Sequence, residues 1–169
     1  AGINGLFCYH QPEFFEEILP FLSDSDKEVR LLAAKKLAAA AEKSEIKIIE
    51  SILMDENELN IVKKALISGL SESENKETVD LLIKVGAQFG GYFDLILSAL
   101  KEKNLHEIAP QLVNLYNQTN EIGQKIIYTH FRNEGVLKEE QLLDLLKKSK
   151  EKQMIENIHE ILHKSSFIE

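Results

Sequence analysis

The sequence predicts an all-α fold, a right-handed α-solenoid of about five antiparallel helix pairs. Leu, Ile, Lys, Glu and Ala dominate a chain with three Pro and no Trp, and apolar residues recur with a helical period along nearly all of it. The first helix of each pair begins about every 30 residues. The predicted starts are Glu13, Glu45, Lys76, His106 and Lys138. An ordinary bundle of evenly spaced short helices is the alternative.

The first pair is predicted over 12–43. Its first helix begins at Pro12, which suits a first turn because the missing N–H would have no partner there. A corner of Ser and Asp residues follows, and either Ser25 or Asp26 is expected to cap the second helix. That helix continues to Glu42 and carries small apolar residues on one face.

The other four pairs are delimited by polar or glycine-containing breaks. Ser44 is expected to cap the second pair, and Gly90-Gly91 stops the first helix of the third pair. The predicted pairs cover 44–72, 73–103, 104–135 and 136–169. Their predicted helices are 45–54, 58–70, 76–88, 92–102, 105–117, 120–132, 138–148 and 151–164. With a capping segment at 1–11, the pairs form one predicted domain over 1–169.

The clearest repeat signal lies at 19–37, where a helix end, an acidic corner and a second helix follow one another. Its sequence is Leu-Pro-Phe-Leu-Ser-Asp-Ser-Asp-Lys-Glu-Val-Arg-Leu-Leu-Ala-Ala-Lys-Lys-Leu. This stretch resembles a HEAT repeat, specifically the HEAT-like units of the bilin lyase type. The resemblance implies a HEAT-like or ARM-like superhelix. It also implies that Asp24 or Asp26 caps the second helix, that Val29 packs inward, and that Arg30 makes polar contacts near neighbouring corners.

The resemblance also implies that Ala33 and Ala34 let adjacent helices approach closely. The other pairs match the HEAT pattern less well. The second pair keeps Asp55-Glu56 followed by Val62-Lys63, in which a lysine takes the place of the arginine. The fourth pair has no arginine at that position, and the third and fifth pairs keep only the helix-pair layout.

The charge pattern bears on the class of partner. The formal net charge is −8, and the only two arginines are Arg30 and Arg132. Some DNA glycosylases use HEAT-like repeats, but binding a phosphate backbone needs clustered Lys and Arg, so the composition argues against nucleic acid. No apolar run approaches the length of a membrane span, so no membrane partner is expected. The single Cys8 and the absence of a signal-peptide layout favour a cytoplasmic location.

One motif carries possible chemistry, because His159-Glu160-Ile161-Leu162-His163 matches the H-E-x-x-H pattern on a predicted helix. The spacing places two imidazoles one turn apart, where they can share a zinc ion, with Glu160 as general base. A zinc peptidase also needs a third ligand from well downstream, and only six residues follow His163. The helical wheel favours an alternative in which both histidines face solvent beside a buried stripe. That stripe comprises Met154, Ile155, Ile158, Ile161 and Leu162.

The favoured functional hypothesis is a non-catalytic scaffold or adaptor that binds a protein partner on its concave face, alone or within a larger protein. In HEAT repeats the second helices line that face. The residues expected there are Leu31, Lys35, Lys63, Lys64, Ile67, Gln124, Tyr128 and Arg132. Alternatively, Leu31 and Leu32 are covered by an N-terminal lid, because a terminal repeat needs capping. The lid residues are Ile3, Leu6 and Phe7.

No catalytic residue, metal ion or cofactor is predicted for this scaffold. The alternative is an enzyme or an enzyme subunit. One version is a zinc-dependent hydrolase acting through His159, Glu160 and His163. The other is a chromophore-lyase-like subunit, which follows only from the analogy of fold.

Overall fold

The computed structural model describes residues 13–133, Lys147 and residues 152–166. This part of the chain is helical, without a β-strand, so the all-α prediction is confirmed for it. None of its helices has the length and apolar content to cross a membrane. The predicted capping segment at 1–11, and nearly all of the predicted helix at 138–148, lie outside the described residues.

The described residues form nine α-helices and three short 3-10 helices. The α-helices are α1 (Glu13–Ile18), α2 (Lys27–Ala39), α3 (Lys43–Met54), α4 (Asn60–Glu72), α5 (Glu77–Gln88), α6 (Phe93–Lys101), α7 (Leu105–Leu115), α8 (Glu121–Asn133) and α9 (Lys152–Ser166). The 3-10 helices are Leu19–Ser23, Gly90–Tyr92 and Tyr116–Gln118. The starts of α1, α3, α5 and α7 all fall within two residues of the predicted starts.

Two local details differ from the predictions. The first helix ends at Ile18 and continues as a 3-10 turn, because Pro20 disfavours the α conformation in the residue before it. Ser44 does not cap α3. Glu42 does, in a reciprocal capping box in which the Glu45 carboxylate accepts the Glu42 backbone N–H at 2.9 Å.

The chain divides into two compact units, Ala1–Leu82 and Ile83–Glu169, and the boundary falls inside α5. In the first unit, α2 packs against α4 along much of their lengths. A Cβ atom placed on Gly69 of α4 would overlap the Lys35 carbonyl oxygen of α2 and would lie 2.8 Å from the Ala38 Cβ. The two backbones therefore approach so closely that only glycine fits at position 69. The fully buried apolar residues around this contact are Ala33, Ala34, Leu37, Ala38, Leu66, Ile67 and Leu70.

In the second unit, α6 packs against α8, and α7 packs against α9. A Cβ atom on Gly86 of α5 would overlap the Ile126 side chain of α8 and would lie 3.4 Å from Ile96 of α6. Gly86 therefore marks the point where three helices meet. The remaining core contains larger side chains than the first unit, including Tyr116 and Phe131, both fully buried.

Candidate functional site

The corner before α2 is the part of the chain that carries the HEAT resemblance. The Asp26 carboxylate accepts the Glu28 N–H at 2.8 Å, so Asp26 caps α2. Of the two predicted caps, Ser25 and Asp26, the structure uses Asp26. Asp24 instead accepts the Asp26 N–H at 2.8 Å. The Arg30 guanidinium donates to the carbonyl oxygens of Asp24 and Ser25, and the second of these hydrogen bonds is 3.1 Å long.

These hydrogen bonds all lie within one corner. The Arg30 guanidinium therefore closes its own corner rather than reaching a neighbouring one. Val29 is half-buried. The corner residues thus set the direction in which α2 leaves the turn, although the buried Arg30 Nε has no hydrogen-bond partner among the described residues. Asp26 therefore caps α2 as the resemblance implied, whereas Arg30 bonds within its own corner instead of near a neighbouring one.

The H-E-x-x-H motif lies on α9 with both histidines exposed, as the helical wheel predicts. Three residues of the predicted stripe, Met154, Ile158 and Ile161, are buried. The Glu160 carboxylate faces the Lys164 ammonium at 3.0 Å. Across the described residues, no group of three or more His, Cys, Asp or Glu side chains is placed to hold a metal ion. The third protein ligand that a zinc peptidase requires is therefore not supplied by this part of the chain.

Two long-range polar contacts hold α9 in place. The fully buried Asn157 amide donates to the Val113 carbonyl oxygen of α7 at 2.7 Å, and its oxygen accepts from the side chains of Asn117 and Gln153. Near the other end, the Lys164 ammonium donates to the Tyr116 hydroxyl at 2.7 Å. The hydrogen bonds to Tyr116 and Glu160 raise the pKa of Lys164 above its ordinary value.

These contacts lie on either side of the two histidines in the sequence. Asn157 precedes His159 by two residues, and Lys164 directly follows His163. Because both contacts reach across to residues of the α7 region, the rotation of α9 about its own axis is fixed. The histidines are consequently presented on the exposed side of a helix that is anchored on both sides of them.

In the first unit, the predicted partner-binding residues of α2 and α4 fall into two groups. Lys64 is exposed, and Leu31 and Lys35 are half-exposed, with the Lys35 ammonium 2.6 Å from the Glu72 carboxylate. Ile67 has no exposed surface and Lys63 is only 4% exposed, so their expected position on the open face is wrong. The close contact at Gly69 turns the side of α4 that carries Lys63 and Ile67 toward α2. The second pair matches the HEAT pattern poorly, so its sequence did not predict how α4 is rotated about its axis.

In the second unit, the predicted residues lie on α8. Arg132 is exposed, and Gln124 and Tyr128 are half-buried, so all three can reach solvent. Two neighbours that were not predicted share this helix: Ile122 is 41% exposed, and the Lys125 ammonium lies 5.7 Å from the Phe93 ring centroid. The four-residue spacing of Gln124, Tyr128 and Arg132 already placed them on one helix face. The same four-residue spacing would have added neither Ile122 nor Lys125.

The chain matches no protein-family model, no curated protein and no solved structure. The HEAT resemblance of 19–37 therefore remains a prediction, carried by the corner residues described above. Any statement about function rests on the geometry of the helices and their exposed side chains. Within the described residues, that geometry offers two surfaces of second helices, on α2 and α4 and on α6 and α8, and one pair of exposed histidines on α9.

Proposed function

We propose that this protein is a non-catalytic, protein-binding scaffold built as a HEAT-like α-solenoid. Its partner contacts the exposed residues of the second helices of successive pairs. The observation that carries the proposal is the direct packing of second helix on second helix, which occurs once in each compact unit. Stacking of this kind is how repeat proteins produce extended binding surfaces from short modules.

The contact between α2 and α4 supports the proposal in the first unit. These are the second helices of the first and second predicted pairs, and they lie against each other more extensively than α3 lies against α4. Leu31 and Lys35 of α2 and Lys64 of α4 all reach solvent. The ion pair between Lys35 and Glu72 links the two helices.

The contact between α6 and α8 supports it in the second unit, because these are the second helices of the third and fourth pairs. The surface of α8 presents Tyr128 and Arg132 to solvent. Tyr and Arg are enriched among the residues that dominate binding energy at protein interfaces. A half-buried tyrosine also loses little conformational freedom when a partner covers it.

The geometry of the H-E-x-x-H motif favours a scaffold over a hydrolase. A general base must lie within reach of a water bound to the metal, but the Glu160 carboxylate is paired with Lys164 at 3.0 Å. That pair is partly exposed, so it is easily broken and does not by itself prevent catalysis. The stronger point is the missing third ligand among the described residues.

The test compares two charge-reversal variants of the full chain. The first, Lys64→Glu with Arg132→Glu, alters one second helix in each unit, and the matched control, Lys47→Glu with Lys84→Glu, alters exposed lysines on first helices. Both variants change the net charge by the same amount. Circular dichroism establishes that each is folded before binding is measured.

Affinity capture with quantitative mass spectrometry identifies the partner, and its dissociation constant is then measured directly. We expect the partner to bind the wild type and the control alike and to bind the second-helix variant at least about tenfold more weakly, a loss of about 1.4 kcal/mol.

Equal binding to both variants contradicts the proposed surface. Hydrolysis of peptide substrates by the wild type but not by a Glu160→Gln variant contradicts the scaffold. A crystal structure with the pairs arranged around a common centre contradicts the solenoid.

A further inference from the structure

The two exposed histidines of α9 are not used by the proposed scaffold, and they share one face of the helix. Residues four apart on a helix lie about 5–6 Å apart at their Cβ atoms, so His159 and His163 are neighbours. The helix that carries them spans Lys152–Ser166, with His159 at its midpoint and His163 in its last turn. This arrangement is the metal-binding half of the H-E-x-x-H pattern, and residues 13–133 and 152–166 place no third ligand beside it to complete a zinc peptidase.

From this juxtaposition we infer that His159 and His163 form a two-histidine binding site for a divalent transition-metal ion, with water completing the coordination. Imidazole nitrogen suits Zn²⁺, Ni²⁺ and Cu²⁺, whereas Mg²⁺ and Ca²⁺ require oxygen ligands. The site holds the ion through two protein ligands on one exposed helix face, so its remaining positions are open to solvent or to further ligands.

The packing of α9 prepares this site before an ion arrives. The inward face of the helix is held by Asn157, which bonds to Val113, and by Lys164, which bonds to Tyr116. Both histidines therefore stand on a preformed helix and need not be ordered by the metal. A ligand set that is organised in advance loses less conformational entropy on binding, which raises its affinity.

The charges around the pair are balanced rather than strongly acidic. Glu160 is paired with Lys164 at 3.0 Å, and Glu156 lies 3.7 Å from Lys152. Neither carboxylate is required by the inference, because two neutral imidazoles supply both protein ligands. Because both protein ligands are imidazole nitrogens, we expect the site to bind Cu²⁺ more tightly than Ni²⁺ or Zn²⁺.

The experiment is a calorimetric titration of the full chain, without an affinity tag and after treatment with a chelator, using Zn²⁺ as the probe. Cys8 and His10 form a second candidate ligand pair close together in the sequence, so all proteins carry Cys8→Ser and His10→Gln. We expect one Zn²⁺ per chain, and no heat of binding when Mg²⁺ replaces Zn²⁺. Absence of Zn²⁺ binding to this parent protein overturns the inference.

The matched control keeps the number of histidines and changes their spacing, at the cost of the exposed ion pair between Lys152 and Glu156. The double substitution Glu156→His with His159→Ala places the two imidazoles seven residues apart, about 10.5 Å along the helix axis, too far to share an ion. We expect this variant and the single variant His163→Ala to bind Zn²⁺ about tenfold more weakly, or worse, than the parent, because each loses the chelating pair.

A second readout links binding to the folded helix. Zn²⁺ binds the native protein, so it raises the melting temperature of the parent and leaves that of the spacing variant unchanged. Positions 156, 159 and 163 are exposed, and circular dichroism establishes that the variants are folded. Unchanged Zn²⁺ affinity in the spacing variant contradicts the inference, because binding would then need only the presence of histidine.

Discussion

The described residues of both compact units are helical, but different kinds of contact position the helices in each unit. In the first unit, the closest contact is one of backbone and small side chains, since Gly69 of α4 lies against the Lys35 carbonyl oxygen and the Ala38 Cβ of α2. In the second unit, the decisive contacts are hydrogen bonds of large buried groups, the Asn157 amide and the Tyr116 hydroxyl. Shape thus selects the arrangement of one unit, and polar pairing selects that of the other.

The largest expected effect is that of Gly69→Ala in the first unit. Alanine favours a helix over glycine by about 1 kcal/mol, so propensity alone predicts stabilisation. The added methyl group would overlap the Lys35 carbonyl oxygen, and a helix backbone cannot turn aside as a flexible side chain can. We expect the free energy of unfolding to fall by about 3 kcal/mol, as measured by urea denaturation.

Two other glycines provide controls for this substitution. Gly91 has no atom within 4 Å of a Cβ placed on it, so Gly91→Ala should change the free energy of unfolding by less than about 0.5 kcal/mol. At Gly123 the overlap is with the Thr119 side chain, which can change rotamer, so Gly123→Ala should lie between the two. Stabilisation by Gly69→Ala would show that α2 and α4 are not packed this closely.

The second largest effect is that of Asn157→Ala in the second unit. The substitution removes the donor to the carbonyl oxygen of the buried Val113, and it removes the acceptor used by the exposed side chains of Asn117 and Gln153. We expect a loss of about 2 kcal/mol in the free energy of unfolding. Asn114→Ala, an exposed position on α7, is the matched control and should be close to neutral.

The Asn157→Ala variant also tests whether the two units unfold independently. Hydrogen exchange followed by mass spectrometry should show faster exchange in α9 and α7 and unchanged exchange in α2 and α4. Faster exchange in all four helices would mean that the two units unfold together. Unchanged exchange in α9 would mean that apolar packing, rather than the Asn157 amide, holds this helix.

The sequence predicted those features that depend on residues close together in the chain. Periodicity gave the helices, and the Ser and Asp corner gave Asp26 as one of two possible caps. The apolar stripe of α9 also predicted that both histidines face solvent. Asn157 was not singled out, although its spacing from Met154 and Ile161 places it on the buried side of the wheel.

The features that escaped prediction depend on contacts between distant residues. A glycine inside a helix, such as Gly69, indicates close packing but does not name the helix that approaches it. The same uncertainty placed Ile67 and Lys63 on the open face, where the structure buries both. The rotation of α4 about its axis is set by its contact with α2, and the helical period alone cannot distinguish that contact from one with another neighbour.

A smaller effect is expected at the corner of the first unit. Asp26→Ala removes the side-chain acceptor for the Glu28 N–H and should lower the free energy of unfolding by about 1 kcal/mol. Asp26→Asn keeps a capping oxygen and should restore most of this stability. If the asparagine variant is as unstable as the alanine variant, the contribution comes from charge near the helix N-terminus rather than from the hydrogen bond.

The smallest effect compares one lysine ion pair from each unit. The pairs of Lys35 with Glu72 and of Lys164 with Glu160 have similar partial exposure, so solvent screens both and each contributes about 0.5 kcal/mol or less. Lys164 differs because it also donates to the buried Tyr116 hydroxyl. We therefore expect Lys164→Met to destabilise the protein more than Lys35→Met does, and to keep that difference in high salt, where ion pairs weaken.

If Tyr116→Phe removes the difference between the two lysine variants, the hydroxyl is its source. If the difference persists in the Tyr116→Phe background, it arises instead from packing of the Lys164 side chain over the Tyr116 ring, whose centroid lies 5.2 Å from the ammonium.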